Sequence, residues 1–307
     1  MTLTNFPNGI SSFGVPVLGG ANIPSTTGTY FFVDSGAAQA SDANAGTTPT
    51  YPMATIDAAN NAATASNGDV IIVMPGHVEN ITAATSLVLD KAGVTIIGLG
   101  FGRNRPVLTF TATASRIPIS ADDIYVSNLV LDASIAAIVS GVTVTGDDVT
   151  LDNIEWNLDA TGVEFLQMLD VDAADRVTVQ NCKFIAENIA GTNTGIRFDT
   201  ASYLRIVNSE FRGDFTTAAL SGTAGSAAAS TDVVIAHNFI ENRDTTAGIL
   251  LDAHDNGTGL LAHNSMFTLF ATAPETALDP GNMLCVENYI VNAVDESGLR
   301  VPETQST

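Results

Sequence analysis

Positive charge is scarce in this chain. Eleven Lys and Arg residues face 33 Asp and Glu residues, so the net charge is −22, and Lys91 and Lys183 are the only lysines. DNA, RNA and anionic membrane surfaces repel a protein this acidic, so we expect no nucleic-acid partner and no membrane partner. The acidity fits solubility in a saline setting, and it equally fits a basic protein partner.

Cysteines and long apolar runs are also few. Cys182 and Cys285 lie far apart, whereas a disulfide framework needs more cysteines in a shorter chain, so we predict two buried thiols. No apolar run reaches the ~18 residues that cross a bilayer. The N-terminus lacks a basic region followed by an apolar block, so we expect a soluble protein that does not use the general secretion route.

A repeat occupies most of the chain. Each copy has apolar residues at alternate positions, then an asparagine, then an apolar or aromatic residue, as in the segment Val149-Thr-Leu-Asp-Asn153-Ile-Glu-Trp156. Gly98 fills the asparagine slot in an earlier copy. The successive copies are marked by Asn128, Asn153, Asn181, Asn208, Asn238, Asn264 and Asn288, at separations of 25, 28, 27, 30, 26 and 24 residues.

This spacing predicts a solenoid of short strands. Alternation favours strands over helices, and Asn and Gly share a tolerance for the left-handed backbone conformation that a tight bend needs. We therefore predict an all-β fold, a right-handed parallel β-helix of about eight coils, with the asparagines stacked as one ladder. The strand preceding each asparagine strand is predicted at residues 140–144, 165–171, 195–199, 217–220 and 248–252. A column of aromatic side chains is predicted inside the coils, formed by Trp156, Phe184, Phe211, Phe239, Phe267 and Tyr289.

Four zones organise the chain. Residues 1–28 are predicted to form an extended arm, residues 29–93 a cap with one short helix from Thr55 to Ala65, residues 94–294 the coils, and residues 295–307 a polar tail. Apolar residues spaced along the arm indicate that it lies on another subunit or a larger assembly; the alternative is a frayed terminus. The predicted anchors of the arm are Phe6, Phe13, Val15 and Val17.

Two resemblances make the prediction more specific. Residues 30–34 (YFFVD), 47–51 (TTPTY), 54–59 (ATIDAA) and 68–76 (GDVIIVMPG) resemble the opening of pectate-lyase-like β-helix proteins. The segment before them, residues 5–17 (NFPNGISSFGVPV), is similar to the start of virion proteins of tailed bacteriophages. These include tailspike-like proteins that decorate or cement capsids as trimers. The second resemblance implies a homotrimer on the phage particle, made in the host cytoplasm, with the major capsid protein or another virion protein as partner.

The motifs of β-helix hydrolases are incomplete in this chain. Polygalacturonase-like enzymes carry Asn-Thr-Asp, Asp-Asp, Gly-His-Gly and Arg-Ile-Lys. Here Gly-His-Gly is absent, and Arg205-Ile206 is followed by Val207. The two Asp-Asp pairs, at residues 122–123 and 147–148, each begin a repeat strand, so we interpret them as turn residues.

A lyase would need clustered carboxylates to hold Ca²⁺ and an arginine to abstract a proton. The best candidate lane consists of Asp170, Asp172, Asp199 and Asp252, with Arg197 nearby. Asp172 and Asp199 each lie nine residues before the asparagine of their coil, so parallel stacking would place their carboxylates ~5 Å apart. That distance suits a shared proton, a cation or a retaining glycosidase.

An ion-bridged acidic face is the simpler interpretation of the lane, so we assign no catalytic residue outside the enzyme alternative. Ca²⁺ is expected only under the lyase alternative, and no other cofactor is expected. Convergence of the four histidines, His77, His237, His254 and His263, is not indicated, so no metal site is predicted.

Three functions remain open from the sequence. The leading hypothesis is a non-enzymatic virion protein, a capsid decoration or cement protein docked partly through the arm. The second is a tailspike-like polysaccharide depolymerase or lyase that uses the acidic lane. The third is a carbohydrate-binding adhesin without turnover.

Overall fold

The chain forms a parallel β-helix of three sheets, as the sequence predicts. The structure is a computed structural model. It describes residues 11–12, 15–16, 23–24, 26–158, 162–186, 191–222, 229–246, 248–253, 257–269, 277–292 and 299–301, with backbone alone for 11–12, 15–16 and 299–301. Seven coils contribute a strand to every sheet, close to the eight predicted.

The first sheet contains the strands that end at the predicted bends. Its ten strands pair in parallel from the N-terminal end of the rod to the C-terminal end. In order they are Tyr30–Val33, Val70–Val73, Thr95–Gly98, Tyr125–Ser127, Thr150–Asp152, Thr178–Gln180, Arg205–Val207, Val233–Ala236, Thr258–Ala262 and Asn282–Val286.

The second sheet follows each bend, and the third sheet completes the coil. The second sheet has nine parallel strands: Val78–Ile81, Val107–Phe110, Val130–Ala133, Glu155–Leu158, Lys183–Ile185, Glu210–Gly213, Phe239–Asn242, Ser265–Thr268 and Asn288–Asn292. Leu299–Val301 adds an antiparallel strand at its C-terminal edge. The third sheet has seven: Ile117–Ile119, Val142–Val144, Gln167–Asp172, Thr194–Asp199, Ala218–Gly222, Leu251–Asp252 and Leu278–Asp279.

A short helix closes the N-terminal end, as predicted. It runs from Ile56 to Ala62, and the Thr55 side chain accepts a hydrogen bond from the Ala58 N–H at its start. Ile56 is completely buried against the solenoid core, so the helix covers an edge that would otherwise invite aggregation. The buried Glu79 side chain accepts from the Ile56 N–H at 3.0 Å and anchors the helix to the second sheet.

The remaining short elements lie at the bends and in the arm. Gly102–Asn104 forms one turn of 3₁₀ helix, and Ser11–Ser12 pairs with Val15–Pro16 in an antiparallel bridge. Of the predicted arm anchors, Phe6, Phe13 and Val17 lie outside the described residues, and Val15 is described by its backbone alone. Ile23 packs on a small apolar cluster outside the first sheet, against Val70, Ile72 and Ile97.

The prediction of one continuous asparagine ladder is corrected by the structure. Asn128, Asn153, Asn181 and Asn208 occupy the bend after the first-sheet strand with φ between 52° and 59°. In the next three coils the bend residue with positive φ is His237, His263 and Glu287. Asn238, Asn264 and Asn288 each follow that bend by one residue and are buried, 0–3% exposed.

The three buried asparagines form a ladder of their own inside the rod. The Asn238 side-chain amide donates to Asn264 Oδ1 at 3.0 Å, and that of Asn264 donates to Asn288 Oδ1 at 2.9 Å. The same oxygens accept the backbone N–H groups of Asn238 and Asn264. At the outer bends the partners vary: the Asn153 amide donates to Asn128 Oδ1 at 3.0 Å, and the Asn181 amide donates to Asp152 Oδ1 at 2.8 Å.

The predicted aromatic column is interrupted after Phe211, because the asparagine no longer occupies the bend in the last three coils. Trp156, Phe184 and Phe211 are buried and stacked, with ring centroids 4.4 and 4.5 Å apart. Phe239 pairs with Glu210 and points outward, while Ile240 continues the inward column from Phe211. A shift of one residue in a strand exchanges its faces. The same shift places Phe267 and Tyr289 outside, and Met266 and Ile290 inside.

Candidate functional site on the third sheet

The outward face of the third sheet holds the predicted acidic lane. Inward residues such as Leu169 and Phe198 are buried in the core, so the residues between them point outward because successive strand residues alternate. One outward column runs coil by coil through Thr143, Asp170, Arg197, Ser221, Asp252 and Asp279.

Asp170 and Arg197 are direct neighbours in this column and form a two-point ion pair. Arg197 Nε donates to Asp170 Oδ1 at 2.7 Å, and Arg197 Nη2 donates to Asp170 Oδ2 at 2.8 Å. The Arg197 side chain is 30% exposed and the Asp170 side chain is 13% exposed. The hydrogen bond to Asp170 raises the pKa of Arg197, partly offset by burial and reinforced by the charges of Asp170, Asp172 and Asp199. Both oxygens of Asp170 therefore bind an arginine of the neighbouring coil.

Asp172 and Asp199 lie in register one coil apart, beside this pair. Asp172 is exposed, and Asp199 is half-buried. The Asp199 Oδ1 atom is buried and has no hydrogen-bond partner within the described part of the chain. These two carboxylates are the part of the lane whose stacking suits a shared proton or cation.

Asp252 lies farther along the rod. It pairs with Ser221, which itself pairs with Arg197. Three strand spacings therefore separate Asp252 from Asp170, about 14 Å along the axis. The structure thus places the five predicted residues on one face, but divides them into an ion pair, an adjacent carboxylate pair and a distant carboxylate.

The Asp-Asp pairs belong to turns, as interpreted from the sequence. Asp123 and Asp148 take positive φ at the bend between the third and first sheets. Asp122 Oδ1 accepts the Asp147 N–H of the next coil at 2.9 Å. The hydrogen bond from Arg176 lowers the pKa of Asp148 despite some desolvation, so these carboxylates link neighbouring coils.

The three histidines that the structure describes do not meet at one point, although two of them stack on each other. His77 is completely buried in the cap, where Nε2 lies 3.2 Å from Glu79 Oε2 and Nδ1 accepts the Ser35 N–H. The His237 and His263 rings stack outside the bends with centroids 5.0 Å apart. His254 lies outside the described residues. Among the residues that the structure describes, no three His, Cys, Asp or Glu side chains are grouped so that they could hold a metal ion.

Sequence analysis did not predict a partly buried carboxyl pair. Asp214 follows one second-sheet strand, and Asp244 follows the next, so the coils bring them together. Burial raises the pKa of Asp214, and the charge of Asp244 and a hydrogen bond with it raise it further. The signal was available, because both residues come one or two places after strands that stack in register.

Sequence analysis also did not predict a largely buried arginine that links neighbouring coils. Arg105 Nη1 donates to Glu155 at 2.8 Å, and Nη2 donates to the carbonyl oxygens of Leu129 and Asn153. The side chain spans two coils beside the bend column. Nothing in the local sequence predicts this contact, because it depends on the path of the loop before the strand that begins at Val107.

Within the described part of the chain, no helix has the length and apolar character that a membrane crossing requires.

A search of protein-family models gave no match to this sequence. No curated protein matches it either.

Several solved structures are similar in fold. Pectate lyase Pel9A aligns over 88% of this chain and 78% of its own, with a TM-score of 0.48 and 13% identity. PfbA, a surface adhesin of Streptococcus pneumoniae, aligns over 78% and 76%, with a TM-score of 0.46 and 12% identity. Geobacillus virus E2 ORF18 aligns over 77% and 58%, with a TM-score of 0.44 and 10% identity. The sheet topology of this chain confirms the predicted parallel β-helix, and a phage protein is among the solved structures to which it is similar.

Proposed function

We propose that this chain is a structural protein of a tailed-bacteriophage virion, a capsid decoration protein that acts as a homotrimer. The predicted arm, residues 1–28, docks it to the major capsid protein or another virion protein. The protein strengthens the particle by bridging neighbouring subunits.

One observation carries the choice of a structural over a catalytic role. Asp170, one of the four carboxylates of the acidic lane, is held at both oxygens by Arg197 of the next coil. A general acid, base or nucleophile needs a carboxyl oxygen that can reach substrate. In a structural rod the same pair links two coils, as Arg176 with Asp148 and Arg105 with Glu155 do elsewhere. The likeness of residues 5–17 to phage virion proteins supports a location on the virion.

The test compares particles with and without the protein. Particles that contain it should survive heating or pressure that opens particles lacking it. A chain without residues 1–22 should fold normally and bind depleted particles at least tenfold more weakly. Equal resistance of the two particle types contradicts the cement role, and unchanged binding of the truncated chain contradicts docking through the arm.

A second function rests on the register of Asp172 and Asp199. Two stacked carboxylates on a parallel sheet face could serve a polysaccharide depolymerase or lyase, with Ca²⁺ between them in the lyase. Incubation with host surface polysaccharide, with and without Ca²⁺, would then release reducing ends or unsaturated products, and Asp199→Asn would abolish them. Glycan binding without product would instead support an adhesin. The absence of both product and glycan binding would favour the structural role.

A further inference from the structure

The outward face of the first sheet changes character along the rod. In the coils of Thr150 and Thr178 its outward positions are polar, and they include Asp152 and Gln180. In the last three coils six outward positions are apolar, whereas Thr258 and Asn282, at the starts of the last two strands, are outward and polar. We name the six apolar positions the apolar face: Val234, Ala236, Leu260, Ala262, Leu284 and Val286.

The register makes the apolar face a regular array. Val234, Leu260 and Leu284 are successive neighbours in one column, and Ala236, Ala262 and Val286 are successive neighbours in the next. Residues between these columns, such as Ile235 and Leu261, belong to the interior core, so the apolar face lies outside it.

The apolar face is open where the rod ends. Leu284 is 66% exposed, which is unusual for a leucine in a strand. Around the bend, Phe239 is 38% exposed and Tyr289 is 54% exposed on the second sheet. Large apolar side chains exposed on neighbouring sheet faces mark candidate protein-binding surfaces.

Charge limits where a second copy could bind. Two copies of a chain with a net charge of −22 repel each other. On the third sheet of the same coils Asp252 and Asp279 stack in register, so contact between copies on that side would oppose carboxylates. The apolar face itself carries no charge. The exposed Arg205 is the neighbour of Val234 at one edge, and at the other edge Glu287 lies 3.4 Å from His263. A basic partner would be drawn to the acidic sides instead.

We propose that the apolar face binds a second copy of this chain. This inference deepens the proposed homotrimer and rests on that proposal for the number of copies. Leu284 is the main anchor, because it combines the largest exposure with a position in the central column. Three copies arranged around a three-fold axis bring the same uncharged sheet face of each chain together without any charged complement.

The test measures the mass of the full chain in solution, by sedimentation velocity and native mass spectrometry. The chain weighs 31.8 kDa, so the wild type should show three times that mass. Leu284→Asp should raise the dissociation constant about 30-fold or more, as loss of an interface anchor does. Leu284→Ser tests the loss of apolar contact without added charge. The matched control is Val139→Asp, which adds the same charge at a residue 55% exposed elsewhere and should leave the mass unchanged.

Salt gives a second readout. Because the copies repel outside the apolar face, added NaCl should tighten association, whereas an interface of ion pairs would weaken. A monomeric wild type at ~100 μM, an unaffected Leu284→Asp, or equal dissociation by Val139→Asp would overturn the inference. Binding to phage particles is measured separately, so a monomer that still binds them would refute this interface and leave the virion role intact.

Discussion

Replacing Asn264 with alanine removes four side-chain hydrogen bonds from the interior of the rod. The Asn264 amide donates to Ile235 O and to Asn288 Oδ1, each at 2.9 Å. Its Oδ1 accepts from the backbone and side-chain N–H groups of Asn238, at 2.9 and 3.0 Å. All three asparagines are buried, so bulk water does not reach these groups in the wild type.

The cost follows from the groups left behind. The backbone N–H of Asn238 loses its acceptor, Ile235 O loses a donor, and a space the size of an amide opens. An orphaned buried polar group costs about 1–3 kcal/mol, so Asn264→Ala should lower the free energy of unfolding by about 3–5 kcal/mol.

Asn153→Ala is the matched control at an outer bend. Asn153 is exposed, has φ of 54°, and donates one side-chain hydrogen bond, to Asn128. Alanine there loses that bond and tolerates positive φ poorly, at a total cost of about 1–2 kcal/mol. Asn153→Gly should recover most of this loss, because glycine takes positive φ without strain.

Urea unfolding measures the three free energies. Hydrogen exchange followed by mass spectrometry adds a local readout, because the Asn238 amide should lose protection in Asn264→Ala and keep it in Asn153→Ala. Equal losses of stability in the two alanine variants, or unchanged protection at Asn238, would refute the division of the asparagines into inner and outer columns.

Three further predictions concern the ion pair, the carboxyl pair and the core. Arg197→Met should lower the free energy of unfolding by about 1–2 kcal/mol in low salt and by less in 1 M NaCl. A second change, Asp170→Asn, should restore part of the lost stability. An Arg197→Met variant as stable as the wild type would contradict the linking role. Asp214→Asn should raise Tm by about 2 °C at pH 8, because an acid whose pKa is raised by folding costs stability as pH rises through that pKa; the gain should vanish near pH 4, and a pH-independent gain would contradict the like-charge cause. Val142→Ile should fill part of an apolar cavity of about 20 Å³ and raise the free energy of unfolding by about 0.5–1 kcal/mol in urea titration, whereas destabilisation would mean that the space is not usable.

The repeat predicted the architecture because the position of the bend, the length of the strands and the length of the coil all appear as regular spacings in the sequence. The prediction that every asparagine occupies the bend failed between Asn208 and Asn238, because asparagine serves both as a bend residue and as a buried hydrogen-bonding residue. Counting from the inward residue would have found the bend: Asn208 lies two places after Ile206, and His237 lies two places after Ile235.

The sequence predicted which residues of the candidate site are neighbours, but not which side chains pair with each other. Equal distances from the coil asparagines placed Asp172 beside Asp199 correctly. The pairing of Asp170 with Arg197 depended on side-chain rotamers, which spacing does not encode. The apolar face did leave a signal, because alternation gives way to continuous apolar runs at residues 233–236 and 283–286.

The most direct test of the account is to count this chain in purified phage particles. Particles are separated into heads and tails, and the copy number in each fraction is measured by quantitative mass spectrometry against the major capsid protein. The account predicts a fixed ratio in the head fraction, at a copy number divisible by three. A chain absent from particles, or confined to the tail fraction, would contradict it.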